Sequence, residues 1–323
     1  MHKIWNGVID PLRYPVDATE RIFVGYLATS LALAVWVYID LRRHKADVPN
    51  SLFAFLFPKQ VYLHKSAIAD YKFYVVDRIL FALVVPLFLV YIGPVADWAS
   101  AGLERLFGPV AHPLDRDSLW VQALAMTTAV LVQDFLLFYV HYLFHRVPAL
   151  WEFHKTHHSA EVMTPITAYR VHPFEVVVTM NTTALGSAFQ VALFTWLTGG
   201  GSPGMNILGI PIILFVFYVV GFNLRHSHVP LGYGPVVSQV LVSPWMHQVH
   251  HSREARHFDK NMGFTFSFWD RLFGTLYVPK RGETFELGLN DGEHVRFHSV
   301  TALYFRPLTN LLRRLAKQPA KTA

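Results

Sequence analysis

The 323-residue sequence contains no cysteine. Disulfides, thiolate zinc sites, iron–sulfur clusters and cysteine nucleophiles are therefore excluded together. Charge is scarce too: Asp, Glu, Lys and Arg make up 15% of the chain, against about a quarter in soluble domains. What fills the space is apolar, with 53% hydrophobic residues and a mean hydropathy of +0.30. Such a chain belongs in large part against lipid. Its formal charge of +6 would suggest nucleic acid in a soluble protein. Here the basic residues flank apolar runs, so a membrane surface accounts for them and no nucleic-acid partner is expected. The opening stretch MHKIWNGVIDPLRYPVDATE carries acids and prolines and no apolar core, unlike a cleaved leader.

Apolar stretches long enough to cross a hydrocarbon core of about 30 Å occupy roughly 22–41, 79–96, 119–143, 176–197 and 207–222. An all-α membrane protein of about five spans is expected. Pro86 predicts a kink in the second, and TGGGSPGMN (198–206) a turn between the last two. The segment 52–63 is too short to span and reads as an interfacial helix or a re-entrant segment. The tail from Arg306 reads as a basic amphipathic helix that frays. The domain division is 1–118 (membrane region), 119–278 (histidine-rich domain) and 279–323 (basic cytosolic tail). Loop 42–72 holds Arg42, Arg43, Lys45, Lys59, Lys65 and Lys72, and the positive-inside rule puts it in the cytoplasm.

Counting spans from there puts three histidine clusters on that same face. They are His141 and His145; His154, His157 and His158; and His247, His250 and His251. Spacings of three and four residues set side chains on one side of a helix, so each cluster can aim imidazoles at a shared point. Eight imidazoles exceed what one zinc ion takes, and two metal ions fit the count. Iron, copper and zinc all suit imidazole. No apolar span carries a Glu-x-x-His pair, which argues against a carboxylate-bridged bundle site. Asp134 lies two turns before His141 and is costly at that depth unless paired. It either accepts the free N–H of a ligating imidazole or pairs with another buried polar group. His257 reads as a surface residue.

The pattern His-x-x-x-His, His-x-x-His-His, His-x-x-His-His on a multi-span chain resembles the fatty acid hydroxylase/sterol desaturase superfamily. YRVHPFE (169–175) is similar to its His-Pro-x-Glu segment, RHSHVP (225–230) to its histidine–serine motif, and DKNMGFTFSFWDRLFGT (259–275) to its closing signature. The resemblance covers about 119–278. It implies two iron ions, for which zinc or nickel can substitute in purified protein. It also implies O2 as co-substrate, a separate cytochrome b5- or ferredoxin-type electron donor, and oxidation of an unactivated C–H bond in a lipid. On the matched positions the eight clustered histidines would be ligands, with His172 and His226 as further candidates. Asp134, Glu175 and Asn261 are the expected catalytic or supporting polar residues. The chain departs from the pattern at His228, which could be a ligand, a donor behind the ligands or a surface residue. Ether-lipid cleavage is an alternative within the family. A metal transporter is disfavoured, since its ligands belong near mid-membrane and these gather at one edge.

Overall fold

The structure, a computed structural model, describes residues 13–317. The sequence readings of the extreme N-terminus and of the fraying end of the tail fall outside them. Helices dominate: α1 (Val24–Arg43), α2 (Lys65–Val84), α3 (Ile92–Phe107), α4 (Leu119–Arg146), α5 (Pro148–His158) and α6 (Pro173–Thr198). They are followed by a hairpin of β1 (Asn206–Ile207) and β2 (Ile210–Pro211), then α7 (Ile212–Val219), α8 (Pro244–His250), α9 (Phe268–Phe273) and α10 (Val300–Lys317).

Four helical stretches among the described residues are long and apolar enough to cross a membrane: α1, the α2–α3 pair, α4 and α6. The expected fifth span at 207–222 is a correction. That stretch makes the two-stranded hairpin and the eight-residue α7, about 12 Å of helix at 1.5 Å per residue. Its composition is apolar enough, but Pro211 and the turn at Leu208–Gly209, both with positive φ, break the helix before it gains length.

The kink expected at Pro86 is a full break. A 3-10 turn at Val85–Phe88 separates α2 from α3, because proline donates no N–H and crowds the preceding turn. The freed backbone groups would be costly in lipid. Asn181 of α6 satisfies them, accepting from Val90 N (2.7 Å) and donating to Phe88 O (2.8 Å). Helix α6 also lies close on α4: a Cβ at Gly186 would meet Leu136 Cδ1 at 2.2 Å, and Gln190 Nε2 donates to Ala125 O at 3.0 Å.

The ends of α4 and α6 carry a cap built from α5, α8, α9 and α10. A fully buried Arg170 fastens it. Its guanidinium pairs with Asp70 of α2 (2.7 Å) and donates to Thr156 O, Ser159 Oγ and Phe297 O. Phe73, Leu289, Phe297 and Leu303 form a small core beneath, closed by Trp151 and Tyr304.

Candidate metal centre

Nine imidazoles converge in two groups, the ligand atoms of each lying within 4.8 Å of one another. Group one holds His141 and His145 from α4, His154 and His158 from α5, and His250 from α8. Group two holds His157 from α5, His226 from the loop after α7, and His247 with the adjoining His251 from α8. The two His-x-x-His-His motifs are thus divided in opposite senses. Helix α5 sends its i,i+4 pair to group one and its middle histidine to group two. Helix α8 sends its i,i+4 pair to group two and its middle histidine to group one. Residues four apart share a helix face, and the residue between them points about 60–100° away. Two such helices facing each other therefore build two pockets at once.

The ring protons are placed by three backbone carbonyls, which can only accept, and by one carboxylate oxygen. His141 Nδ1 donates to Met262 O (2.8 Å), His154 Nδ1 to Glu175 Oε1 (2.8 Å), His157 Nδ1 to Arg170 O (3.3 Å) and His250 Nδ1 to Lys260 O (2.8 Å). In a neutral ring this leaves the lone pair on Nε2. Those lone pairs face one another: His141 Nε2 is 3.0 Å from His154 Nε2, and His158 Nε2 is 3.1 Å from both His154 and His250. The His141 and His154 lone pairs share no proton at this range, and a cation between them is the arrangement that suits the donor set. In group two, His226 Nε2 lies 3.3 Å from His157 Nε2 and 3.0 Å from His247 Nε2. His247 is held differently. Arg225 Nη2 donates to its Nδ1 at 3.2 Å, so the neutral ring carries its proton on Nε2, toward His226; a cation held at Nε2 would require that proton to shift to Nδ1 and the Arg225 contact to open.

Burial holds the rings neutral. It pushes His154 and His157 down to about 3, and His158, His226, His247, His250 and His251 well below the usual range. Neighbouring imidazoles add to the effect at all of these except His154, where burial acts alone. Neutral imidazole is the form that binds metal.

Other expected residues lie elsewhere, and three change role. His172 joins neither group. It caps α6, with Nδ1 accepting from Phe174 N (3.1 Å) and Nε2 donating to Tyr304 O (3.0 Å), so both nitrogens are engaged. Asp134 touches no imidazole. Its carboxylate accepts from Thr265 N, Phe266 N and Trp269 Nε1 at 2.7–3.1 Å. Asn261 sits at φ +56°, a left-handed conformation asparagine tolerates, and bonds Met246 O, Tyr277 O and Tyr277 N. Its two sequence neighbours supply the carbonyls that orient His250 and His141. Asn261 is therefore a brace for group one. Asp270 secures the same loop by accepting from Met262 N and Gly263 N.

Glu175 does reach the centre, through His154, and its Oε2 is buried without a partner. His228 Nε2 donates to Phe55 O (2.6 Å) and joins neither group. His257, expected at the surface, is 1% exposed and meets Glu283 Oε1 at 3.0 Å. The sequence does contain one Glu-x-x-His, Glu254 to His257, but it falls on a 3-10 turn away from both groups. The orienting carbonyls of Lys260, Met262 and Arg170 went unforeseen because a backbone oxygen leaves no mark on the sequence. Arg225 was legible only as a basic residue next to His226.

A cavity of about 140 Å³ opens on both groups, lined by His141, His154, His157, His226 and His247 together with Leu137, Val140, Val171, Phe222 and Phe264. A second, of about 260 Å³, meets group one from another side at His145, His158, His250 and Trp151.

The family described as Fatty acid hydroxylase matches residues 126–275, the stretch that carries all nine imidazoles of the two groups. Among curated proteins, an ornithine lipid hydroxylase of Rhizobium tropici is 28% identical over 174 residues, covering 53% of this chain and 47% of that protein. An alkylglycerol monooxygenase of Xenopus tropicalis is 31% identical over 46% of this chain and 29% of its own length. A fatty acid hydroxylase of a Lecanicillium species is 25% identical over 53% of this chain and 46% of its own. The matched stretch thus spans less than half the length of these relatives. No solved structure matches.

Proposed function

We propose that the chain is a membrane-bound oxygenase that hydroxylates or desaturates a lipid C–H bond with two iron ions, O2 and electrons from a separate cytochrome b5- or ferredoxin-type donor. Its metal centre faces the cytoplasm, on the side of the Lys/Arg-rich loop 42–72. The observation that carries the reading is the pair of imidazole groups whose inward lone pairs adjoin an apolar cavity. Group one would hold one ion with five imidazoles, and group two the other with four. When bound, iron supplies reduction of O2 and the oxidising power for hydrogen abstraction.

The chain's own residues do the rest. Glu175 keeps the His154 proton on Nδ1 and raises the basicity of Nε2. The carbonyls of Met262, Lys260 and Arg170 fix the other rings. Leu137, Val140, Phe222 and Phe264 exclude water from the cavity and receive the apolar part of a substrate. The absence of thiolate suits a site exposed to its own oxidant. The relatives support the lipid assignment, being lipid hydroxylases and monooxygenases by name.

The test is lipid mass spectrometry on membranes with and without the protein, alongside metal analysis. A gain of one oxygen marks hydroxylation, a loss of two hydrogens desaturation, and release of an aldehyde ether-lipid cleavage. His157→Ala and His250→Ala should each abolish turnover. Normal turnover with normal metal content in both variants would end the proposal.

A further inference from the structure

Two guanidinium groups line the 140 Å³ cavity, those of Arg21 and Arg225. Neither has a carboxylate within ion-pair distance among the described residues, which is unusual for buried or half-buried arginines. Arg225 is 2% exposed. It donates to Phe264 O, Gly263 O and His247 Nδ1, and its Nε is buried without a partner. Among the described residues the Arg21 side chain makes a single long contact, to Ala168 O at 3.4 Å, so most of its five N–H donors have no acceptor there. Its backbone is nonetheless fixed, because Asn223 Nδ2 donates to Arg21 O at 2.9 Å. That bond ties Arg21 to the segment that carries His226.

Phe222 lies between the two cations, 6.0 Å from Arg21 and 5.6 Å from Arg225. Of the cavity's lining residues only Glu175 is acidic, and it is engaged by His154. Glu20, next to Arg21, stays beyond ion-pair distance although its charge is felt. The cavity therefore combines apolar walls with two guanidinium groups that no carboxylate of the described residues pairs directly.

We propose that this cavity takes a lipid whose head carries an anionic oxygen group, a carboxylate or a phosphate, with Arg21 as its anchor and Arg225 as the charge behind it. The proposal rests on the lipid-oxidation reading above and narrows its substrate class. Arginine's planar fork matches both kinds of anionic group. Leu137, Val140 and Val171 face the remainder of the molecule. Because Arg225 contacts His247 directly, a head held here brings carbons near the head, rather than the end of the chain, beside the imidazole groups.

The experiment measures equilibrium binding to the full-length, metal-loaded protein in neutral detergent, with dodecyl phosphate, dodecanol and inorganic phosphate as probes. Dodecyl phosphate should bind about tenfold or more tightly than dodecanol, the scale of one or two charge-assisted hydrogen bonds. Arg21→Gln should remove that preference and leave dodecanol binding and metal content unchanged, while Arg21→Lys should restore part of it. Equal binding of the two alkyl probes, or an unchanged preference in Arg21→Gln, would overturn the proposal. So would inorganic phosphate competing as well as dodecyl phosphate, which would make this a site for free anions. Metal content and lipid oxidation are measured on the same preparations. A charge preference without lipid oxidation would sink the oxidation reading and leave the anion site standing. Oxidation without the preference would sink only the anion site.

Discussion

Asn261 illustrates how a residue that touches no candidate ligand can govern the metal centre. Its side chain spans Met246 and Tyr277, and its left-handed backbone turns the carbonyls of Lys260 and Met262 toward His250 and His141. Asn261→Ala removes the side-chain bonds and the tolerance for that backbone together. Metal affinity should fall by about 10–100-fold, the range seen when partners behind ligands are lost. Chelator titration of the metal-loaded variant measures it, and unchanged retention would refute the role. His172 is the contrast. His172→Ala removes the cap of α6 and should cost about 1 kcal/mol in thermal or denaturant unfolding. Two ions per chain should remain, whereas loss of one would return His172 to the ligand set.

At the scale of elements, the histidine-bearing α5 is held by what packs behind it. Leu303 of α10 is fully buried against Phe73, Leu289 and Phe297, and its carbonyl accepts from Thr156 Oγ1 of α5. Next to it, the carbonyl of Tyr304 receives His172. The C-terminal helix thus touches both α5 and the start of α6. Leu303→Ala should lower stability by about 2–5 kcal/mol, the cost of a large-to-small change in a closed core. A melting curve in detergent tests this, and a change under 1 kcal/mol would mean that α10 is no part of the cap's core.

Across the whole molecule, the buried imidazoles set the response to acid. Above about pH 6.5 they are neutral in the folded and the unfolded chain alike. Between 6.5 and about 3 the unfolded chain takes up protons that folded His154 and His157 refuse, so stability falls as pH falls. Below about 3 these two rings contribute no further loss. Five more rings are displaced in the same direction. Asp270, pushed up to about 6 by burial, works the other way, as does every carboxyl that burial raises, Glu20 among them. Metal-free protein should lose melting temperature steadily from pH 7 to 5, and loaded protein should release metal over the same range as protons compete for Nε2. A flat melting profile across that interval would contradict the burial of these rings.

The sequence by itself determined that apolar helices dominate, that proline disturbs the second span, and that histidines gather at one end; that the disturbance is a full break was a finding of the structure. Composition and three- and four-residue spacings are local properties, and they survive folding. Spacing also identified His141, His145, His154, His157, His158, His247, His250 and His251 as residues sharing helix faces. Which face meets which partner was decided only by the tertiary structure. The docking of α5 against α8 assigned His157 and His250 to opposite groups from their neighbours, and it brought in His226 but not His172 or His228. Asp134 and His257 found their partners 131 and 26 residues away. The stretch 207–222 had the composition of a span but folded as a hairpin and a short helix. A side chain's period along the chain fixes its direction from its own helix; what stands opposite depends on how distant segments pack.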